Sequence, residues 1–461
     1  MITVNQATKD AYASDVSHKT LRVVFPELAL TFTNESLDSE SLRLSEAISN
    51  RDSIEFVGCI ASSFKINIYN ASVNLKGRKI EVYIKADNTQ EIPLFKGIVD
   101  SAQMQANKKY KQIVAYDVLY TKGQTDVAAW YNGLNFPITL ANLRNSLCAY
   151  IGLTQVSTTL PNDGLVIEKQ FEPKTLQCLT VLKSICQLNG CFGIINRSAL
   201  FEYRYIYNKF DEVFPATTLF PPFYPVANHR GEESEVANTF AFCKSISYEE
   251  YTVKPVERLQ IRKSEDDIGV IVGNPTGNKY IIQNNMFAFN LDENTLRTIG
   301  RRTWDKVANI SFHPCQTENY GMPFVEVGDV VDYVLSEGEA GSYNVNTFNV
   351  MSRELRGCQL LNDSYKATGS EEQSEFVTDI QSQLDAIKRN GVNMQDYYTK
   401  EETEEIFIPH EEAQIEFGEI ADEKIAQMET PTGFNIVSAY TLPTNRQSNT
   451  LYIVGSTVVV L

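Results

Sequence analysis

Histidine is scarce in this chain: only His18, His229, His313 and His410 occur among 461 residues. None stands in HExxH or HxH spacing or in a Cys/His array, so the usual ligand sets of a zinc enzyme are missing. A GxSxG nucleophile elbow and a GxxxxGK[ST] phosphate loop are missing too, which removes the common hydrolase and nucleotide-binding signatures. No apolar run approaches the ~18 residues of a membrane helix, so no membrane segment is expected. The opening Met1-Ile2-Thr3-Val4-Asn5-Gln6 has no basic region ahead of an apolar core, so the expectation is no signal peptide and folding in a cytosol. Basic clusters are also absent. Gly77-Arg78-Lys79 and Asn107-Lys108-Lys109 are short and isolated, and the net charge is −17. Such a surface is a poor non-specific binder of phosphate backbones. It suits solubility, or a wall past which DNA slides without sticking.

Cysteine is not scarce. Eight residues, Cys59, Cys148, Cys178, Cys186, Cys191, Cys243, Cys315 and Cys358, lie in apolar contexts. In a reducing cytosol they read as buried thiols. Cys186 and Cys191 do not have the spacing of a zinc knuckle. Cys315 with His313 is the one Cys/His pair that a strand would put on a common face. Paired carboxylates such as Asp266-Asp267 and Glu249-Glu250 read as solvated faces in so acidic a chain. No catalytic residue, metal site or cofactor is expected.

At roughly 100–200 residues per domain, the length suggests about three domains. The expected class is mainly β with α+β. Residues 1–125 alternate with a period of two, as in Lys79–Lys85, where Ile80, Val82 and Ile84 share a face. Ile54–Val57, Phe64–Ile68, Leu94–Val99 and Gln112–Tyr116 repeat the pattern, which suits a small antiparallel barrel or sandwich. Residues 126–240 read as an α+β domain. One helix carries Leu140, Leu143, Leu147 and Ile151 after Pro137 and stops at Gly152. A second runs from near Lys174 to Leu188 and stops at Asn189-Gly190. A hairpin turns at Asn196-Arg197-Ser198. Residues 241–366 look like a second barrel around a helix capped by Asp292, with Leu296, Ile299, Thr303 and Val307 on one face. Strands are expected at Lys279–Ile282, Phe324–Val327 and Val330–Val334, and Gly273–Asn278 reads as a hairpin turn.

Residues 371–430 read as a helical or coiled-coil stalk. Val377, Ile380, Leu384 and Ile387 form a heptad seam that Gly391 weakens and Met394 continues. Leu384 at a with Ile380 and Ile387 at d favours three or four strands over two. The same stripe also suits one amphipathic helix packed on its own domain. A capping box at Thr399 and Glu402 starts another short helix, which Pro409 limits. Residues 431–461 read as apolar β-strands that need a cover from a partner or sister chain.

Several segments resemble one family. Glu46-Ala47-Ile48-Ser49, followed by Asp52 to Ser62 and Phe64, is similar to the start of tail-tip proteins of phages that infect Gram-positive bacteria. A "P-L-F-x-G-x-V" strand stands at Pro93–Val99, and "A-Y-D-x-L-Y" at Ala115–Tyr120. The helix ending at Gly190 before Phe192 and a hairpin is similar as well, as is "x-V-G-D-x-V" at Glu326–Val331. Their order spans about residues 40–365. Tyr397-Tyr398-Thr399-Lys400 and the last 25 residues resemble parts of phage fibres. The resemblance is to a baseplate hub, the module that precedes the lysin domain in tail-associated lysins. It implies a structural virion protein at the tail tip, assembled in the host cytoplasm. It further implies a homotrimer whose two barrels per subunit dock on the distal tail or tube protein ring above. The tape measure protein, fibres and receptor-binding proteins would be its other neighbours, and DNA would leave through it. After residue 370 about 90 residues remain, too few for a typical wall-hydrolase domain with its linker, so no enzyme is expected. A receptor-binding or fibre-base protein is the alternative, and a tail-associated cell-wall hydrolase is the second alternative.

Overall fold

A computed structural model describes residues 2–14, 16–48, 58–69, 72–169, 171–206, 243–249, 251, 253–262, 267–308, 310, 312, 314–337, 343–367, 435–439, 450–454 and 457–460. The chain divides into two compact units, residues 1–391 and 392–461. The first opens with helix α1 (Gln6–Ala13), capped by the Asn5 side chain, which accepts from the Thr8 amide. Strands β1 (Lys19–Phe25), β2 (Leu30–Thr33), β3 (Leu37–Ala47), β4 (Ser63–Tyr69), β5 (Lys79–Ala86), β6 (Ile92–Met104) and β7 (Tyr110–Tyr116) follow. Along β1 and β5 the alternating apolar residues turn to one buried side. Leu21, Val23 and Phe25 of β1 meet Ile80, Val82 and Ile84 of β5, all fully buried. Phe64 and Phe95 stack with ring centroids 5.4 Å apart.

The middle of the chain is α+β. It holds α2 (Val118–Gly123), α3 (Ala128–Asn132), a two-stranded ribbon of β8 (Ile138–Thr139) with β9 (Val166–Ile167), α4 (Leu140–Ile151) and α5 (Cys178–Asn189). A hairpin of β10 (Phe192–Ile195) and β11 (Phe201–Arg204) completes it. The predicted stripe of α4 is buried in full, and Gly152 ends the helix with φ +63°. The helix starts at Leu140 rather than at Pro137, because the Thr139 hydroxyl caps it by accepting from the Asn142 amide.

The third part contains β12 (Cys243–Tyr248), β13 (Arg258–Arg262), β14 (Val270–Gly273), β15 (Lys279–Gln283), α6 (Glu293–Val307), β16 (Cys315–Tyr320), β17 (Val330–Glu337), β18 (Tyr343–Asn349), β19 (Ser352–Arg356) and β20 (Asn362–Ala367). Asp292 caps α6 by accepting from the amides of Asn294 and Thr295, as its position suggested. Gly273–Asn278 does turn, but not as a hairpin. Strand β13 lies between β14 and β15, antiparallel to the first and parallel to the second.

The first and third parts do not make two separate closed barrels among the described strands. One ladder of eleven strands runs through both, in the order β12-β16-β20-β19-β3-β4-β7-β6-β5-β1-β2. The join is β19, which pairs antiparallel with β3 on one side and with β20 on the other. The chain is mainly β with few helices, and its large sheet is antiparallel throughout. In the second unit, β21 (Asn435–Ala439) runs parallel to β22 (Thr450–Val454), which pairs antiparallel with β23 (Thr457–Val460), within the 431–461 segment expected to be β.

Gly190 ends α5 at φ +63°, and a Cβ there would stand 2.8 Å from Cγ1 of Val307 on α6. Gly190→Ala therefore adds both a left-handed alanine and a clash, and should destabilise the fold by about 1–3 kcal/mol in urea unfolding. An unchanged midpoint would show that α5 does not pack on α6 in this way.

Candidate functional site: a buried ionic junction

The polar residues that the sequence motifs contain meet inside the first unit. Glu46 lies near the end of β3, and Arg353 faces it in register on β19. Burial alternates along β19, so Arg353 and Leu355 point inward while their neighbours do not. The Arg353 guanidinium is fully buried. It grips Asp363 of β20 with two bonds, Nε to Oδ1 at 2.9 Å and Nη2 to Oδ2 at 2.8 Å. Nη1 reaches Oε2 of Glu46 at 3.4 Å and donates to the Val325 carbonyl, and Nη2 also donates to the Met322 carbonyl at 2.9 Å. The Tyr365 hydroxyl donates to Asp363 at 2.8 Å.

A second arginine enters from the turn of the β10–β11 hairpin. Arg197 Nη2 lies 2.6 Å from Oε2 of Glu46, Nη1 donates to the Leu94 carbonyl on β6, and Nε stands 3.8 Å from Oε1 of Glu326. Arg204, on β11, reaches Glu202 at 2.9 Å and Glu326 at 3.4 Å, and donates to the Val327 carbonyl at 2.9 Å. Burial opposes the charges on Arg353 and Arg204. The facing carboxylates, led by Asp363 and Glu326, outweigh it and hold both guanidiniums above their ordinary pKa.

These arginines account for a difference from the sequence reading. Phe324–Val327 alternates like a strand but does not form one. Its Val325 and Val327 carbonyls accept from Arg353 and Arg204, and the Phe324 carbonyl accepts from the Ile2 amide, so no ladder is left for it to join. The turn that follows is built as the motif suggested. Asp329 accepts from the Glu326 amide at 2.8 Å. Gly328 has φ +84°, and a Cβ there would meet the Phe192 ring at 2.6 Å.

Asp117, from the "A-Y-D" motif, sits close by. It caps α2 through the Leu119 amide at 2.8 Å and takes the Ser62 amide at 2.6 Å. Burial raises its pKa from 3.8 to about 7, against these two hydrogen bonds, which favour the charged form. Beside it a cavity of about 10 Å³, lined in part by Glu46, Asp117 and Arg197, has room for roughly one water. An open groove of about 230 Å³ on its other side, lined in part by Tyr116 and Tyr120, is smaller than a usual ligand pocket of ~300 Å³ or more. Among the described residues, no group of three or more His, Cys, Asp or Glu could hold a metal ion.

The other residues singled out from the sequence are not drawn together. Cys315 is buried on β16, while His313 lies outside the described residues. Glu249 is exposed, Asp267 accepts from the Gly269 amide, and Glu250 and Asp266 lie outside the described residues. So do the seam residues Val377, Ile380, Leu384, Ile387 and Met394, and the capping box at Thr399. Arg197, Arg204, Arg353 and Asp363 were not legible as a group. Arg197 stands in a hairpin turn, where an exposed arginine is the ordinary expectation. The one available signal was an arginine at an inward position of the alternating β19.

The site is a buried set of interlocked charges that ties three parts of one chain, with no exposed reactive group at its centre. No protein-family model matches the chain, and no curated protein matches its sequence. Among the solved structures similar to it are three tail proteins. One is the 43 kDa tail protein of prophage MuSo2 from Shewanella oneidensis, with TM-score 0.45 and 9% identity over 76% of this chain and 98% of that one. Another is the tail protein from Neisseria meningitidis MC58, with TM-score 0.44 and 12% identity over 76% and 96%. The third is prophage tail protein gp18 from Listeria monocytogenes EGD-e, with TM-score 0.43 and 10% identity over 80% and 99%.

Arg353→Leu should cost about 3–5 kcal/mol in chemical unfolding, because Glu46 and Asp363 would stay buried without their shared cation. A loss below about 1 kcal/mol would mean that the junction is hydrated and weak. Asp117 carries its own pH signature. An acid with a raised folded pKa holds its proton more tightly when folded, so its contribution is full below the unfolded pKa and is lost as pH rises through about 7. The stability advantage of wild type over Asp117→Asn should therefore shrink from about pH 5 to about pH 8. An advantage that grows over that range would mean that the two amide bonds, and not burial, govern the carboxyl.

Proposed function

We propose that the chain is a structural protein of a bacteriophage tail and forms the hub at the tail tip. In this reading it is a homotrimer that closes the tube, docks on the tail protein ring above and yields to DNA at ejection. The tape measure protein and fibres are its other neighbours. Two features support the reading. The ordered motifs between about residues 40 and 365 resemble those of tail-tip proteins. The observation that carries most weight is where their polar positions go. Glu46, Asp117, Glu326 and Asp329 are all buried, and Glu46 and Glu326 are paired with arginines that bind distant parts of the chain together. A subunit that passes load between a tube and a baseplate needs such internal ties more than it needs a cleft. The seam at Val377, Ile380, Leu384, Ile387 and Met394 is proposed to lie on the trimer axis. So short a helix is marginal alone, so contacts elsewhere must supply most of the association.

Antibody to residues 1–367, applied with gold to particles that carry the chain, should label the end of the tail distal to the capsid. Gold along the shaft would refute the hub, and gold on splayed peripheral fibres would favour a fibre-base protein instead. The double change Ile380→Asp and Leu384→Asp should leave the trimer mass in solution intact but make residues 371–461 several-fold faster to proteolyse. A mass that falls to monomer would move the main interface into the stalk, and an unchanged cleavage rate would take the seam off the axis.

A further inference from the structure

Seven cysteine side chains are described, and all seven are buried. Two of them, far apart in sequence, touch. Cys59 Sγ lies 3.8 Å from Cys186 Sγ, across a sequence separation of 127 residues. Cys59 is held in place by a parallel bridge to Gly193, whose amide donates to the Gly58 carbonyl at 2.9 Å. A Cβ on Gly193 would stand 2.9 Å from the Cys59 sulfur, so this backbone leaves room for that sulfur and little more. Cys186 lies on the last turn of α5. Its carbonyl accepts from both the amide and the thiol of Cys191.

We propose that Cys59 and Cys186 form a disulfide when the folded chain meets a small disulfide oxidant, a covalent staple between the approach to β4 and helix α5. The two sulfurs must close from 3.8 Å to about 2.05 Å for the bond to form. Cys59 reacts first, since it keeps about 4% exposure while Cys186 is fully buried. Its thiolate attacks one sulfur of the oxidant R–S–S–R, forms a mixed disulfide and expels R–S⁻. The Cys186 thiolate then attacks the Cys59 sulfur and expels the second R–S⁻. The two thiol protons end on the two released thiolates. Two protein thiols are oxidised and one small disulfide is reduced to two thiols.

The setting makes this step slow. The contact with Cys186, with burial, pushes the Cys59 thiol well up, and burial does the same for Cys186. Little thiolate is present near neutral pH, so the pair stays reduced in a glutathione-poised cytosol and oxidises only on long exposure outside it. The closed loop would hold β4–β7 and α2–α4, and so would constrain the unfolded chain strongly. The inference stands on this geometry alone and does not depend on the tail reading.

The test uses the full chain, reduced, freed of reductant and held folded with hydroxyethyl disulfide. Free thiols are then blocked with a maleimide in denaturant, and non-reduced peptides are mapped by mass. The expected result is a Cys59–Cys186 linked peptide pair, loss of maleimide at those two positions, and maleimide retained on Cys191. The oxidised chain should also melt at a higher temperature than the reduced one, and the Cys59→Ser variant should keep the label on Cys186. Maleimide on both Cys59 and Cys186, or a Cys186–Cys191 link, would overturn the proposal. So would loss of the Cys186 label in the Cys59→Ser variant, and a lower melting temperature after oxidation would show that the bond does not fit the fold.

Discussion

One guanidinium sits where the described parts of the first unit meet. The Arg353 side chain has no exposed surface, yet four acceptors surround it: Asp363, Glu46 and the carbonyls of Val325 and Met322. Taking a charge into such a place costs several kcal/mol, and only a complete set of partners offsets it. Each partner therefore has to arrive in its position. Glu46 requires β3 in register with β19, Asp363 requires β20 in register on the other side, and the two carbonyls require the Met322–Val325 turn. The eleven-stranded ladder is continuous because all of these conditions hold together.

The second arginine pair extends the same constraint into the α+β part. Arg197 in the turn of the β10–β11 hairpin and Arg204 at the end of β11 both reach Glu326. Glu326 in turn precedes a glycine that must be bare, since the Phe192 ring of that hairpin lies against it. An ionic contact and a packing contact thus join the same two loops. A glutamate, a glycine and an aspartate at this spacing make sense as a set: one pairs with the arginines, one gives way to a ring, and one closes the turn through the Glu326 amide.

The secondary structure was largely legible, and the tertiary pairing was not. Alternation located β4, β5, β6 and β7, and the caps at Asp292, Gly152 and Gly190 located helix ends, because these signals act within a few residues. Strands β1 and β3 and helix α1 escaped, their polar positions hiding the pattern; Lys19, for example, is buried with its amide on the Gln359 side chain. Pattern also failed at Phe324–Val327, where side-chain donors replace a strand partner. The site was legible only in part. Glu46, Asp117, Glu326 and Asp329 stood in motifs, but the arginines that give them meaning lie far off in sequence, and charge alone does not say which arginine is buried.

That division follows from what the junction does. Replacing a buried ion network with apolar side chains is often neutral or stabilising, so stability by itself does not call for one. Its effect on alternatives is larger. Shifting β19 by one residue would turn every side chain to the opposite face. Arg353 would leave the interior, and Glu46 and Asp363 would be buried without it. An apolar residue at that position would tolerate neighbouring registers far better. The sheet takes strands from both ends of the described first unit, so its pairings are long in range and slow to be found. A penalty that falls on every wrong register is then worth more to the chain than the net strength of the ion pairs in the right one.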